Sequence, residues 1–204
     1  LTPMRLSVQH LVSSYRKGAA GFAEVLSAVS STVLDQIDAL SRIASEFSAF
    51  ARLPERRVDL CDVHEVLNEA IALYHREGVR FASSFIPGKP LVKADREELR
   101  RAFINIFRNS VQAVESEVSI GVSTRTEGAI LIIGITDNGP GMTPDILKRL
   151  FEPNFSTKTD GMGIGLTIVK KTIEDLDGSI EVESAPGKGT TVRIRLPLSG
   201  GSDG

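Results

Sequence analysis

Asp137 and the glycines that follow it are the residues of this chain whose types and spacing suit chemistry. Residues 137–171 read DNGPGMTPDILKRLFEPNFSTKTDGMGIGLTIVKK, an acidic residue and five glycines (Gly139, Gly141, Gly161, Gly163, Gly165) placed around a short helix and a basic loop. Glycines at such junctions let the backbone turn through conformations barred to other residues and come close to a ligand. The second cluster precedes an amphipathic helix expected over 164–176, where unpaired N–H groups and the positive dipole end favour phosphate. The pattern points to a nucleotide site. It is not the dinucleotide fingerprint, and it lacks the GK[ST] ending of a P-loop. Asn105, Asn109 and Gln112 form a second set, three and four residues apart on one helical face. An Asn oxygen is a hard ligand suited to Mg²⁺; on spacing alone, a solvated helix face explains the same amides.

The elements that position these residues follow from periodicity and turn chemistry. The apolar run 130–135 reads as a strand leading into Asp137. Asp95 caps a helix running to about Val114, with Glu98 at the capping-box position and Leu99, Ala102, Phe103, Ile106, Val111 and Val114 facing the core. Residues 63–75 are amphipathic, with Asp62 as cap and Gly78 as stop. Residues 79–86 and 91–94 are short strands separated by the Pro87-Gly88 turn. A hairpin is expected around Glu127-Gly128, and a second strand pair, 179–184 and 190–196, around 186–189. Residues 198–204 read as a short disordered tail.

The first 53 residues follow another rhythm. Leu1, Met4, Val8, Leu11 and Tyr15 form a heptad-like seam, RKGAAG at 16–21 is a turn, and Phe22, Leu26, Val29, Val33, Ile37, Leu40, Ile43, Phe47 and Phe50 continue the seam. This predicts an antiparallel helical hairpin over 1–53, which buries its seam by pairing with a second copy into a four-helix bundle. Pro54 and the charged run after it predict a linker over 54–61, with a second domain over 62–197.

Composition narrows the classes. With 204 residues the chain supports one large or two modest domains. A formal charge of -2 with acids and bases interspersed gives no broad footprint for nucleic acid or an anionic membrane. The single cysteine, Cys61, excludes an intramolecular disulfide and suits a reducing compartment, where it reads as a small packing side chain. The longest apolar run is too short for a bilayer span of about 20 residues. His10, His64 and His75 have no motif partner and read as structural or solvated.

Taken in order, the amide-bearing helix face, DNGPG after a strand, LFEPNFSTK, DGMGIGLTIVKK and GKGTTVRIRLP resemble the N, G1, F, G2 and G3 boxes of the histidine-kinase branch of the gyrase, Hsp90, histidine kinase and MutL ATP-binding superfamily. The resemblance covers roughly residues 63–197, and its nearest likeness is to nitrogen-regulation sensor kinases of the NtrY type. It implies an α+β protein: the helical hairpin, then a two-layer α/β sandwich with a mixed sheet (the Bergerat-type ATP-binding fold). LTPMRLSVQHL resembles the continuation of a kinase H-box, so the phosphoacceptor His would precede Leu1, and the chain is expected to bind ATP without autophosphorylating at the usual site.

The resemblance also implies roles. Asp137 would accept a hydrogen bond from the adenine amino group, and Gly139 and Gly141 would let the backbone pass under the base. Asn109 would bind Mg²⁺. Asn105 stands one turn earlier, where the gyrase-like branches carry a water-activating Glu, so phosphoryl transfer to a protein side chain is expected rather than hydrolysis. Gln112 falls where many relatives place a basic residue. Phe155 resembles the F-box aromatic, Thr157 and Lys158 the base of an ATP lid, and Gly161, Met162, Gly163, Ile164, Gly165 and Leu166 the hinge that hands the triphosphate to a helix N-terminus. Thr190 belongs to G3. The implied partners are a second copy and a response-regulator receiver domain, and the implied location is the cytoplasmic part of an inner-membrane sensor. A hydrolysing ATPase of the same superfamily and an inactive dimerisation scaffold are the rival readings.

Overall fold

The computed structural model describes residues 57–74, 77–114, 117–157 and 163–199, and before them residues 12, 13, 15, 23, 25–34 and 37. The chain divides into two units, Leu1–Glu55 and Arg56–Gly204. In the first, residues 12, 13, 15, 23, 25–34 and 37 are helical. The turn expected at 16–21 and the end of the expected second helix lie outside the described residues. Among the described residues no helix is long and apolar enough to cross a membrane.

The second unit runs β1 (Val58–Asp62), α1 (Val63–Ala72), β2 (Val79–Ser84), β3 (Leu91–Asp95), α2 (Arg96–Gln112), β4 (Val118–Glu127), β5 (Ile130–Asp137), α3 (Pro144–Arg149), α4 (Gly165–Glu174), β6 (Ser179–Ser184) and β7 (Thr190–Pro197). Five strands form one sheet in the order β2-β4-β5-β7-β6, while β1 and β3 pair separately. The β2-β4 pair is parallel and the others antiparallel, so the large sheet is mixed, as expected. Alternation along β4, β5 and β7 turns Val118, Ile120, Val122, Leu131, Ile133, Ile135, Val192, Ile194 and Leu196 into one core with the apolar stripes of α1, α2 and α4. Helix α2 is central, packing on both α1 and α4, and its Phe103 and Phe107 are fully buried.

The local signals act as read. The Asp62 side chain accepts the His64 N–H at 2.9 Å, and Asp95 accepts the Glu97 and Glu98 N–H groups at 3.0 and 3.1 Å. Thr143 caps α3 with Pro144 in its first turn. Cys61 is buried, its thiol directed to the Ala94 carbonyl, and burial pushes that thiol above its ordinary range.

Two stretches differ from the sequence reading. Residues 58–61, read as linker, belong to β1, because antiparallel pairing with β3 makes a strand of a run with no apolar period of its own. Leu198 and Ser199, read as the start of a disordered tail, donate their N–H groups to the Ala129 and Leu91 carbonyls at 2.8 and 2.7 Å. Strands β2 and β3 flank the Pro87-Gly88 turn yet enter different sheets.

Candidate functional site

Asp137 is the last residue of β5, on the face that carries Leu131, Ile133 and Ile135 into the core, and it is 9% exposed. A carboxylate set there needs partners. Its Oδ1 accepts the Gly139 N–H at 2.9 Å and the Thr190 N–H at 3.1 Å, and its Oδ2 accepts the Ser110 hydroxyl at 2.8 Å. Those donors come from the turn after β5, the start of β7 and the last turn of α2. Asn138 extends the β4-β5 pairing: its Oδ1 accepts the Ser119 N–H at 2.8 Å and its amide donates to the Glu117 carbonyl at 3.0 Å.

Two glycine turns close over this strand end. Gly141 has φ +71°, and a Cβ there would stand 1.9 Å from the Ala185 carbonyl oxygen. At Gly189, φ is +74° and a Cβ would stand 2.0 Å from the Asp137 carbonyl oxygen. Only glycine supplies both the left-handed backbone and the missing atom. The turns are stitched together by the Gly187 N–H on the Pro140 carbonyl at 2.6 Å. Ser184 Oγ reinforces them, accepting the Met142 N–H at 2.9 Å and donating to the Gly189 carbonyl at 2.7 Å. The Thr190 hydroxyl lies 3.1 Å from the same Oγ.

Helix α2 supplies the opposite side. Asn105 and Asn109 are half-buried and Gln112 is exposed at its end. Asn105 Oδ1 accepts the Arg108 guanidinium at 2.8 Å, and both side chains reach Gly165, where a Cβ would stand 3.1 Å from Arg108 Nη2 and 3.5 Å from Asn105 Oδ1. Gly165 opens α4, and Ile164 precedes it without a side-chain cap. Gly163 sits against the Phe155 backbone, and the half-buried Phe155 ring lies under the Arg149 guanidinium, 4.2 Å from its centroid. Thr167 bonds the Phe151 carbonyl at 3.1 Å and ties α4 to that loop. Leu166 packs on the core and Thr157 is exposed. Lys158, Gly161 and Met162 lie outside the described residues.

Tertiary structure therefore brings together Asp137, Gly139, Gly141 and Thr190 at one strand end, and Asn105 and Gly165 at the mouth between α2 and α4. It adds three residues that the sequence reading passed over: Ser110, Ser184 and Arg108. Ser110 had a detectable signal, since it is a polar residue on the apolar stripe of α2 and is 4% exposed. Ser184 and Arg108 had none: the Met142 N–H that Ser184 accepts is 42 residues away, and Arg108 is set against Gly165 only by the α2-α4 contact.

Comparison with known proteins gives the family and the fold. The "Histidine kinase-, DNA gyrase B-, and HSP90-like ATPase" family matches residues 94–200, just over half of the chain. Nitrogen regulation protein NtrY of Azorhizobium caulinodans is 34% identical, over 98% of this chain and 27% of its own length. Sensor histidine kinase ZraS of Klebsiella oxytoca is 33% identical over 81% of this chain and 37% of its own. The chain thus spans about a quarter to two fifths of these relatives. Among solved structures, the mycobacterial sensor histidine kinase MprB superposes with a TM-score of 0.63 at 26% identity, over 70% of this chain and 98% of that one. Full-length ShkA in complex with AMPPNP, at 22% identity, shares the fold with a TM-score of 0.66 over 89% of this chain and 40% of that one. The stretch that this family model matches holds both glycine turns, the strand end at Asp137 and the amide-bearing α2, and the chain belongs to the histidine kinase-, DNA gyrase B- and HSP90-like ATPase family.

Proposed function

We propose that this chain is the catalytic core of a sensor histidine kinase: its second unit binds Mg²⁺·ATP and passes the γ-phosphoryl group to a protein histidine, leaving ADP, and a response-regulator aspartate then takes the phosphoryl group. The observation that carries this reading is the Asp137 carboxylate, buried at a strand end beside two glycine turns and held by three donors. Hydrogen bonds to charged groups contribute about 1.5 to 3 kcal/mol, enough to anchor the adenine amino group. In this reading Gly139 and Gly141 pass beneath the base, with Thr190 and Phe155 bordering the site. Thr157, Lys158 and the hinge Gly161, Met162, Gly163, Ile164, Gly165 and Leu166 deliver the triphosphate to the N-terminus of α4.

The donor set suits magnesium held chiefly by the substrate. Among the described residues no group of three or more His, Cys, Asp and Glu could hold a metal. Asn109 offers one uncharged hard oxygen, a turn beyond the Asn105 that approaches Gly165, and Mg²⁺ favours few protein ligands with waters and phosphates. Held there, the ion would supply positive charge to offset the charge that develops on the phosphate oxygens during transfer. Gln112 closes the same helical face.

Transfer is favoured over hydrolysis by Asn105. Its amide cannot take a proton from water as a Glu would, and its oxygen already accepts from Arg108. In the same reading the helical residues before 56 serve as the dimerisation unit, a receiver domain is the downstream partner and the whole protein is membrane-anchored with this part on its cytoplasmic side, while the nitrogen regulation protein among the relatives supports a nitrogen-regulation role.

The test is calorimetric titration of a non-hydrolysable ATP analogue, with and without Mg²⁺, into the wild type and Asp137→Asn. Saturable binding is expected, weakened about tenfold or more by the substitution. A wild type that binds no nucleotide would overturn the proposal.

A further inference from the structure

Ser110 stands one residue beyond Asn109, in the last turn of α2, and its hydroxyl reaches away from the amide face to Asp137 Oδ2 at 2.8 Å. An ionised carboxylate offers about four acceptor positions, two on each oxygen. At Asp137 both positions on Oδ1 are filled by backbone donors, the N–H groups of Gly139 and Thr190 at 2.9 and 3.1 Å. The Ser110 hydroxyl fills one of the two on Oδ2, and among the described residues no donor takes the other.

The backbone pair hinges the carboxylate at Oδ1 but does not by itself fix the swing of Oδ2, because the terminal carboxylate torsion is soft. A donor on Oδ2 from a different element removes that freedom. Ser110 is well placed to do so: it is 4% exposed, and it sits on a helix that packs on both α1 and α4. Its bond to an anion is of the stronger, charge-assisted kind.

We propose that Ser110 is a positioning residue for base recognition: its hydroxyl fixes Asp137 so that one acceptor position on Oδ2 is presented to one N–H donor, the exocyclic 6-amino group of a purine nucleotide. The inference deepens the nucleotide reading above and rests on it. Ser110 acts on the ligand through Asp137, so its removal is felt only by ligands that use that acceptor.

The experiment uses the whole 204-residue chain and two nucleotides, ATP and the purine nucleoside triphosphate that lacks the 6-amino group, titrated calorimetrically into wild type, Ser110→Ala, Ser110→Thr and Ser110→Cys. The wild type is expected to prefer ATP. Ser110→Ala is expected to weaken ATP about tenfold while leaving the other nucleotide within about twofold, so that the preference narrows. Ser110→Thr, which keeps the hydroxyl, restores the preference. Ser110→Cys nearly preserves volume with only a weak donor, and it narrows the preference in the same way even if the alanine variant fails to fold. Equal weakening of both nucleotides, or none, would overturn the role of Ser110 while leaving nucleotide binding intact. A wild type that binds both equally would overturn it too, because Asp137 would then not read the amino group. A wild type that binds neither overturns this inference together with the nucleotide reading.

Discussion

Asp137 is where one residue type does most of the selecting. A strand end on the core face ordinarily takes an apolar side chain, and a carboxylate survives there because two backbone N–H groups and one hydroxyl converge on it. The glycines are as specific. Gly141→Ala forces a Cβ to within 1.9 Å of the Ala185 carbonyl at a backbone φ of +71°. The contact is with backbone, so the two turns must separate. This substitution is expected to destabilise the second unit by about 2 kcal/mol or more and to weaken nucleotide binding, readable as a lowered urea midpoint and a raised dissociation constant. A variant as stable as the wild type would show that the turns are looser than drawn. Asp137 and the glycines were legible in sequence because junction glycines announce special backbone. Ser110 showed only as a lone polar residue on an apolar stripe, a signal that assigns no role until its partner on β5 is known.

At the scale of elements, α2 is the one on which everything leans, and its start is set by Asp95. Burial pushes the Asp95 carboxyl upward, but the N–H groups of Arg57, Glu98 and Glu97 outweigh burial and hold it below its ordinary value of 3.8. A depressed folded-state value means stability that is fully present above about pH 4 and is lost as pH falls through the folded value. Asp95→Asn keeps a good N-cap but does not titrate. The stability difference between wild type and Asp95→Asn, from urea unfolding between about pH 2.5 and 7, is therefore expected to be constant in the neutral range and to shrink below about pH 4. A difference that stays flat throughout would refute the assignment. The capping pattern of α2 was visible in sequence because caps are local. The strand β1 was not, since three of its five residues are exposed and only pairing with β3 defines it.

For the whole molecule, the question is what covers the first unit. In the single chain Tyr15, Ile37 and Leu26 of the apolar seam are 72%, 45% and 43% exposed. Large apolar side chains repeated along a helix at that exposure call for a partner surface, which the proposed second copy supplies. The double substitution Leu26→Glu, Ile37→Glu is expected to shift the chain from dimer to monomer in sedimentation velocity while leaving nucleotide affinity within about twofold. A wild type that sediments as a monomer at all accessible concentrations would remove the dimer proposal.

Apart from β1, the sequence alone determined the order of elements in the second unit, the caps of α1 and α2, the apolar faces and the five ordered motifs, because each of these is written within a few neighbouring residues by side-chain period, capping chemistry and glycine placement. Tertiary structure decided the rest: the β2-β4-β5-β7-β6 order, the strand at 58–62, the anchoring of Leu198 and Ser199, and the convergence of Ser110, Gly139 and Thr190 on one carboxylate. Most of these depend on hydrogen bonds between groups far apart in the chain, as Ser110 and Thr190 stand 27 and 53 residues from Asp137, and no local pattern encodes which distant donor a given acceptor will meet.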